Sequence, residues 1–226
     1  QPSKLFSYQY GIREDDFTLV QSCVDFDNDG QRELVYGSRT NRTCSLIRAA
    51  DGKALWTTPL AGLCQSISAH DLDADGRYEI LFLTSSPGRL YVLDHSGRIL
   101  KHWDADDSKV GNTPVIIDAD HDGILDGYLG TRSKYLVRLN MNDLSLVTRR
   151  PGWVQCGCHT TAMDVDVDGR WDLFAGAGDD SRGKGVLHRY DPLTLDTVWS
   201  YETNDNASSA DPVLADIDGD GQVEIV

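Results

Sequence analysis

The chain has 226 residues, 40% of them apolar, with 36 acidic against 21 basic side chains and a formal charge of -15. The apolar share supports a folded core, and the size fits one large domain or two small ones. The acidity excludes nucleic-acid binding through phosphate contacts, and the absence of an 18-residue apolar run excludes a membrane-spanning helix. No signal peptide opens the chain, a feature shared with mature secreted proteins, which have lost theirs.

In chain order, residues 4–10 (KLFSYQY) predict an outermost strand, because they resemble DTVWSYE at 196–202. From residue 16 onward one unit repeats. Each copy starts with a short apolar segment: TLVQSCV, SISAH, TPVIID, TTAMDV and DPVLAD. An acidic turn follows, and then, in the first four copies, a β-rich run: ELVYGS, EILFLTS, DGYLGT and DLFAGA. A second run comes next (CSLIRA, RLYVLD, YLVRLN, GVLHRY), then a turn (ADGK, HSGR, MNDL, DPLT). A last segment often carries tryptophan: ALWTTPL, ILKHWDA, SLVTRRPGW and DTVWSYE. No segment sustains a 3.6-residue period, and β-branched and aromatic residues between Gly, Asn and Asp turns read as strands. Four strands in about 47 residues is the size of one β-propeller blade. The sequence therefore predicts an all-β fold, a single β-propeller domain over 1–226 with four-stranded antiparallel blades at about 16–60, 62–105, 109–152 and 155–202 and a partial blade at 207–226.

The acidic turns carry the strongest signal. They read DFDNDGQREL, DLDADGRYEI, DADHDGILDG, DVDVDGRWDL and DIDGDGQVEI, all D-x-D-x-D-G-x-x-[DE], with starts 46, 47, 46 and 52 residues apart. Repulsion among carboxylates this close opposes folding unless a positive charge joins them. Alternating acids at positions 1, 3 and 5 converge when the backbone wraps, the glycine at 6 permits the turn, the backbone carbonyl at 7 adds an oxygen, and the acid at 9 closes the shell. Hard oxygen donors in a flexible loop suit calcium. The predicted ligand sets are Asp25, Asp27, Asp29, Gln31 and Glu33; Asp71, Asp73, Asp75, Arg77 and Glu79; Asp118, Asp120, Asp122, Ile124 and Asp126; Asp164, Asp166, Asp168, Arg170 and Asp172; and Asp216, Asp218, Asp220, Gln222 and Glu224. The helix-loop-helix version of the loop is excluded, because position 12 is Tyr36, Phe82, Leu129 or Ala175 in the first four copies and never Glu. These five loops hold 20 of the 36 acids, so up to five Ca²⁺ would bring the charge from -15 to -5. A solvated acidic hairpin without metal is the alternative, and it leaves the shared glycine and the fixed register unexplained.

These loops and runs resemble the FG-GAP and VCBS repeat propellers, which place a calcium loop between the first two strands of each blade, as in the head of the integrin α subunit. The third and fourth strands, with DGKALW, are similar to blades of pyrroloquinoline-quinone-type propellers. The resemblance covers nearly the whole chain and implies blade and metal more specifically than activity. The blade count departs from it, since rings in such families usually take more than four blades. The chain stops at Val226, within the second strand of the fifth repeat. Further blades in a longer protein are the first expectation, and completion of the half blade by the N-terminal strand or by another chain is the alternative, since open strand edges recruit partners.

Five cysteines are present: Cys23, Cys44, Cys64, Cys156 and Cys158. Cys23 and Cys44 fall on the first and third strands of one blade, roughly 9.6 Å apart and too far for a direct bridge. Cys156, Cys158 and His159 provide three zinc-type ligands without a fourth, so loop cysteines or a disulfide fit better. Sequons at Asn41 and Asn206 fall in predicted loops, and with the calcium loops they point to a secreted or cell-surface glycoprotein. Trp56, Trp103, Trp153 and Trp199 recur near blade ends, which predicts packing between neighbouring blades ahead of a sugar platform.

Propellers bind ligands at the channel mouth. The equivalent positions there are Val20, Ser66, Thr113, His159 and Asp211, of which the last four form a polar ligand rim. His159 is the one general-base candidate, with Asp211 beside it; no G-x-S-x-G, H-E-x-x-H or phosphate-cradling glycine loop occurs. The expectation is an extracellular, calcium-stabilised binding or structural module with a protein or carbohydrate ligand, and no assigned catalysis. The two alternatives are a polysaccharide lyase or hydrolase at the channel mouth, and a subunit of a head-to-tail filament self-associating through the partial blade.

Overall fold

In the computed structural model the described residues are 18–105, 110, 113–131, 133, 135–151, 160–179, 184–203 and 212–225. The strand expected at 4–10 lies outside them, as do Trp153, Cys156, Cys158, His159, Asn206 and Asp211. Among the described residues there are strands and no helix. The first sheet contains β1 (Thr18–Val24), β2 (Glu33–Ser38), β3 (Thr43–Arg48) and β4 (Ala54–Pro59). The second contains β5 (Leu63–His70), β6 (Glu79–Ser85), β7 (Arg89–Leu93) and β8 (Ile99–Asp104). The third has β9 (Val115–Ile117), β10 (Asp126–Gly130), β11 (Tyr135–Asn140) and β12 (Leu146–Pro151). The fourth has β13 (Thr160–Met163), β14 (Asp172–Asp179), β15 (Lys184–Tyr190) and β16 (Thr197–Thr203). A two-stranded sheet, β17 (Leu214–Ala215) with β18 (Glu224–Ile225), follows.

Within each four-stranded sheet the strands lie side by side in chain order, every neighbouring pair antiparallel, as the blade reading requires. Burial follows position in the sheet. β6 and β10 are buried at every residue, whereas β4, β8 and β12 alternate or fray toward solvent. An inner strand covered on both faces needs an unbroken apolar or small run, and EILFLTS and DGYLG supply it; an outer strand needs only one apolar face.

The backbone packs as two compact units, residues 1–108 and 109–226. In the first, Phe26, Val35, Leu46, Ile67, Phe82 and Leu93 belong to one buried cluster shared by the first two sheets. In the second, Ile117, Tyr128, Leu136, Leu173 and Leu195 belong to another. In both units the fourth strand of one blade holds the hairpin turn of the next. Trp56 Nε1 donates to the His95 carbonyl at 2.8 Å and Thr58 Oγ1 to that of Gly97 at 2.7 Å. Arg150 Nη1 donates to the Leu195 carbonyl at 3.0 Å and pairs with Asp196. The expected interblade role of Trp56 is thus observed, while Trp199 instead lies 37% exposed with its ring 6.0 Å from that of Phe174.

Two of the rim residues and three of the cysteines fall among the described residues. Ser66, expected at a ligand rim, is only 5% exposed, because β5 packs against β1 and β2; Thr113, its counterpart ahead of β9, is half-buried. Cys23 is exposed while Cys44 and Cys64 are buried, and all three are free thiols. Burial pushes both buried thiols up, Cys64 to about 12 against a smaller opposing pull from Arg39, and the neighbouring Cys64 raises Cys44 further.

Candidate metal centres

The five acidic turns adopt one conformation. Each is closed by an antiparallel pair between the residue before position 1 and the acid at 9: Val24 with Glu33, His70 with Glu79, Ile117 with Asp126, Met163 with Asp172, and Ala215 with Glu224. Inside each loop both oxygens of the first aspartate accept backbone N–H groups. One oxygen accepts the N–H of position 5, from Asp29, Asp75, Asp122, Asp168 and Asp220, at 3.0–3.1 Å. Its other oxygen accepts the N–H of the glycine at 6, from Gly30, Gly76, Gly123, Gly169 and Gly221, at 2.8–3.0 Å. The aspartate at 5 then accepts the N–H of position 7 at 2.8 Å, from Gln31, Arg77, Ile124, Arg170 and Gln222.

This wrapping requires left-handed backbone at positions 4 and 6. The glycine at 6 has φ of +83° to +87° in all five loops. A Cβ on Gly30, Gly123, Gly169 or Gly221 would meet nothing within 4 Å, so the backbone angle, and not space, selects glycine there. Position 4 has φ of 58–77°, and is Asn28, Ala74, His121, Val167 or Gly219. The third and fourth loops touch through this residue: His121 Nε2 lies 3.1 Å from the Gly169 carbonyl oxygen.

The fold brings three carboxylates of each turn together. Ligand oxygens lie within 4.8 Å of one another in the sets Asp25, Asp27, Asp29; Asp71, Asp73, Glu79; Asp118, Asp120, Asp122; Asp164, Asp166, Asp168; and Asp216, Asp218, Glu224. The acid at 9 is the buried member: Glu33, Glu79, Asp126 and Asp172 are 2–7% exposed. Glu33, Glu79, Asp172 and Glu224 each accept the N–H of position 2, at 2.8–3.2 Å. Burial raises the carboxyls of Glu33 and Glu79, the Phe26 and Leu72 N–H groups oppose that, and the three neighbouring aspartates add to it.

The donor set fits a hard divalent cation. It consists of carboxylate oxygens that converge within one turn, held in place by the backbone N–H groups of positions 5, 6 and 7. Asp27 adds a sharper sign: its Oδ1 is buried and has no hydrogen-bond partner, an arrangement that costs free energy unless a cation faces it.

Two basic side chains that reach into the acidic turns escaped the sequence reading, Arg138 on β11 and Arg189 on β15. Arg138 Nη2 donates to Asp120 at 2.8 Å and Asp126 at 2.7 Å. Arg189 donates to Asp172 through Nε at 2.8 Å and to Asp166 through Nη2 at 3.1 Å. The Arg138 hydrogen bond holds the Asp120 carboxyl below the usual range. Burial pulls Arg138 itself down, and its bonds to Asp126 and Asp120 more than offset that. The available signal was the acid at 9, which is Asp in these two copies and Glu in the other three. Of the remaining candidates, Asn41 is exposed in the turn between β2 and β3, its N–H bonded to Ser38 Oγ at 3.1 Å.

No family model and no curated protein matches the chain. Solved structures do match. Similar chains include the V. cholerae biofilm matrix protein Bap1 (20% identity, 92% of this chain and 34% of that one, TM-score 0.63). BBS1N, crystallised in complex with ARL6DN, matches at 14% identity over 91% of this chain and 58% of its own, with TM-score 0.60. BamB from Moraxella catarrhalis matches at 16% identity over 88% and 56%, with TM-score 0.54. The chain thus spans between 34% and 58% of the length of these structures. At such identities the likeness is one of fold: a β-propeller of four-stranded antiparallel blades, four complete and a fifth in part.

Proposed function

We propose that the chain is an extracellular, calcium-stabilised propeller module that binds a partner or builds a structure. The observation that carries this reading is the identical hydrogen-bonded wrapping of five acidic turns, each presenting convergent carboxylates. A cation there ties the first two strands of a blade together and removes the repulsion among their acids. Loops of this type in extracellular modules work at the calcium levels found outside cells, which supports placement there. The fold is shared with a biofilm matrix protein and with a chain crystallised with a protein partner, which supports a binding or structural role.

Thermal unfolding of the full chain, in chelator and in excess calcium, tests the reading. A ligand that binds only the folded state at about 100 times its Kd adds roughly 2.7 kcal/mol per site. The expected result is a clear rise in Tm with calcium. Coincident melts, together with no metal by elemental analysis of the purified protein, would remove calcium from the account.

A further inference from the structure

The five turns are not equivalent. In the third and fourth, an arginine stands among the acids, and in the first two its place is apolar. Arg138 lies opposite Tyr128 and Arg189 opposite Phe174, each two residues past the acid at 9. The same register position is Leu46, opposite Val35, in the first blade and Val92, opposite Leu81, in the second. Neither guanidinium is a loose surface contact. The Arg138 side chain is 9% exposed and its partner Asp126 6%; Arg189 is 22% exposed and Asp172 11%. Each arginine bridges the acid at 3 to the acid at 9, the two groups that a cation would otherwise draw together. In the first loop the acid at 3 is Asp27, whose buried Oδ1 has no partner.

We propose that Arg138 and Arg189 supply, in the third and fourth turns, the positive charge that calcium supplies in the first, second and fifth. The proposal rests on the calcium reading above and refines it: the chain carries about three calcium ions where five acidic turns exist. The physical reason is competition. A cation entering either turn must displace a guanidinium from two carboxylates or accept a unit positive charge within a few ångströms, which weakens binding by about tenfold or more even in a well-screened setting. A guanidinium fork also matches two carboxylates at fixed spacing, and it cannot be deprotonated or chelated away. The second unit thus keeps two of its blades pinned when calcium falls, and the first unit does not.

Calcium counting by equilibrium dialysis of the full chain, stripped with chelator and folded by circular dichroism, decides this. Wild type is expected to hold about three ions in its tight class, and Arg138→Leu and Arg189→Leu are each expected to gain one. In chelator each variant melts below wild type, and excess calcium restores part of the loss. Arg138 is buried, so Arg189→Leu, at a partly exposed position, carries the test if the first variant does not fold. Five tight ions in wild type would overturn the proposal, and so would the absence of any gain in a folded variant. Zero ions in wild type would overturn the calcium reading and this proposal with it, whereas five tight ions would overturn the proposal and leave the calcium reading standing.

Discussion

Val167 holds a backbone angle of φ 58° that a β-branched residue rarely adopts, and its side chain is 82% exposed with nothing to hold it there. The strain belongs to the loop conformation, since Asn28 occupies the same place in the first turn at φ 63°. Replacing Val167 by Asn should stabilise the chain by about 1 kcal/mol, a rise in Tm of roughly 2–4 °C at this size, read by calorimetry. No change would mean that the turn is not under strain. His188 offers a separate residue-scale test. Burial lowers its pKa from the ordinary 6.5, and the neighbouring Arg150 lowers it further, while Nδ1 stays 2.7 Å from Ser200 Oγ. The folded state therefore prefers the neutral ring. Its contribution is complete above the ordinary value and is lost as the pH falls through the depressed one. Melting profiles should drop as the pH is lowered below 6.5, and His188→Gln should flatten that drop; an unchanged profile would assign the titration elsewhere.

At the scale of strands and turns, blade joins to blade through a side chain on the fourth strand and the backbone of the next hairpin. Trp56→Phe removes the indole N–H from the His95 carbonyl while keeping most of the ring, and should cost about 1 kcal/mol, measured by urea unfolding with an unchanged m-value. These elements show what can be read from sequence and what cannot. The strands and turns were legible because five copies vary around a fixed pattern: the aspartates at 1, 3 and 5 and the glycine at 6 never change, while positions 2, 4, 7 and 8 do. Each such position reports a local backbone requirement, and local requirements repeat. Arg138 and Arg189 were not legible, because they lie 12 and 17 residues from the acids they meet, and hairpin length alone sets that difference. The burial of Ser66 was not legible for a related reason: strand position is local, but burial depends on which neighbouring sheet covers the strand.

Across the whole molecule, a formal charge of -15 is concentrated in the acidic turns. Without metal, raising the ionic strength should raise Tm, because salt screens the carboxylates from one another; with calcium bound, the same salt should do little or weaken binding. A metal-free chain indifferent to salt would mean that the acids do not repel appreciably. The account as a whole turns on cations among the acids, and crystals grown in calcium, with anomalous scattering data, examine that most directly. It predicts strong anomalous peaks enclosed by Asp25, Asp27 and Asp29, by Asp71, Asp73 and Glu79, and by Asp216, Asp218 and Glu224, with Arg138 and Arg189 standing in the remaining two turns. Turns filled only by water at saturating calcium would contradict it.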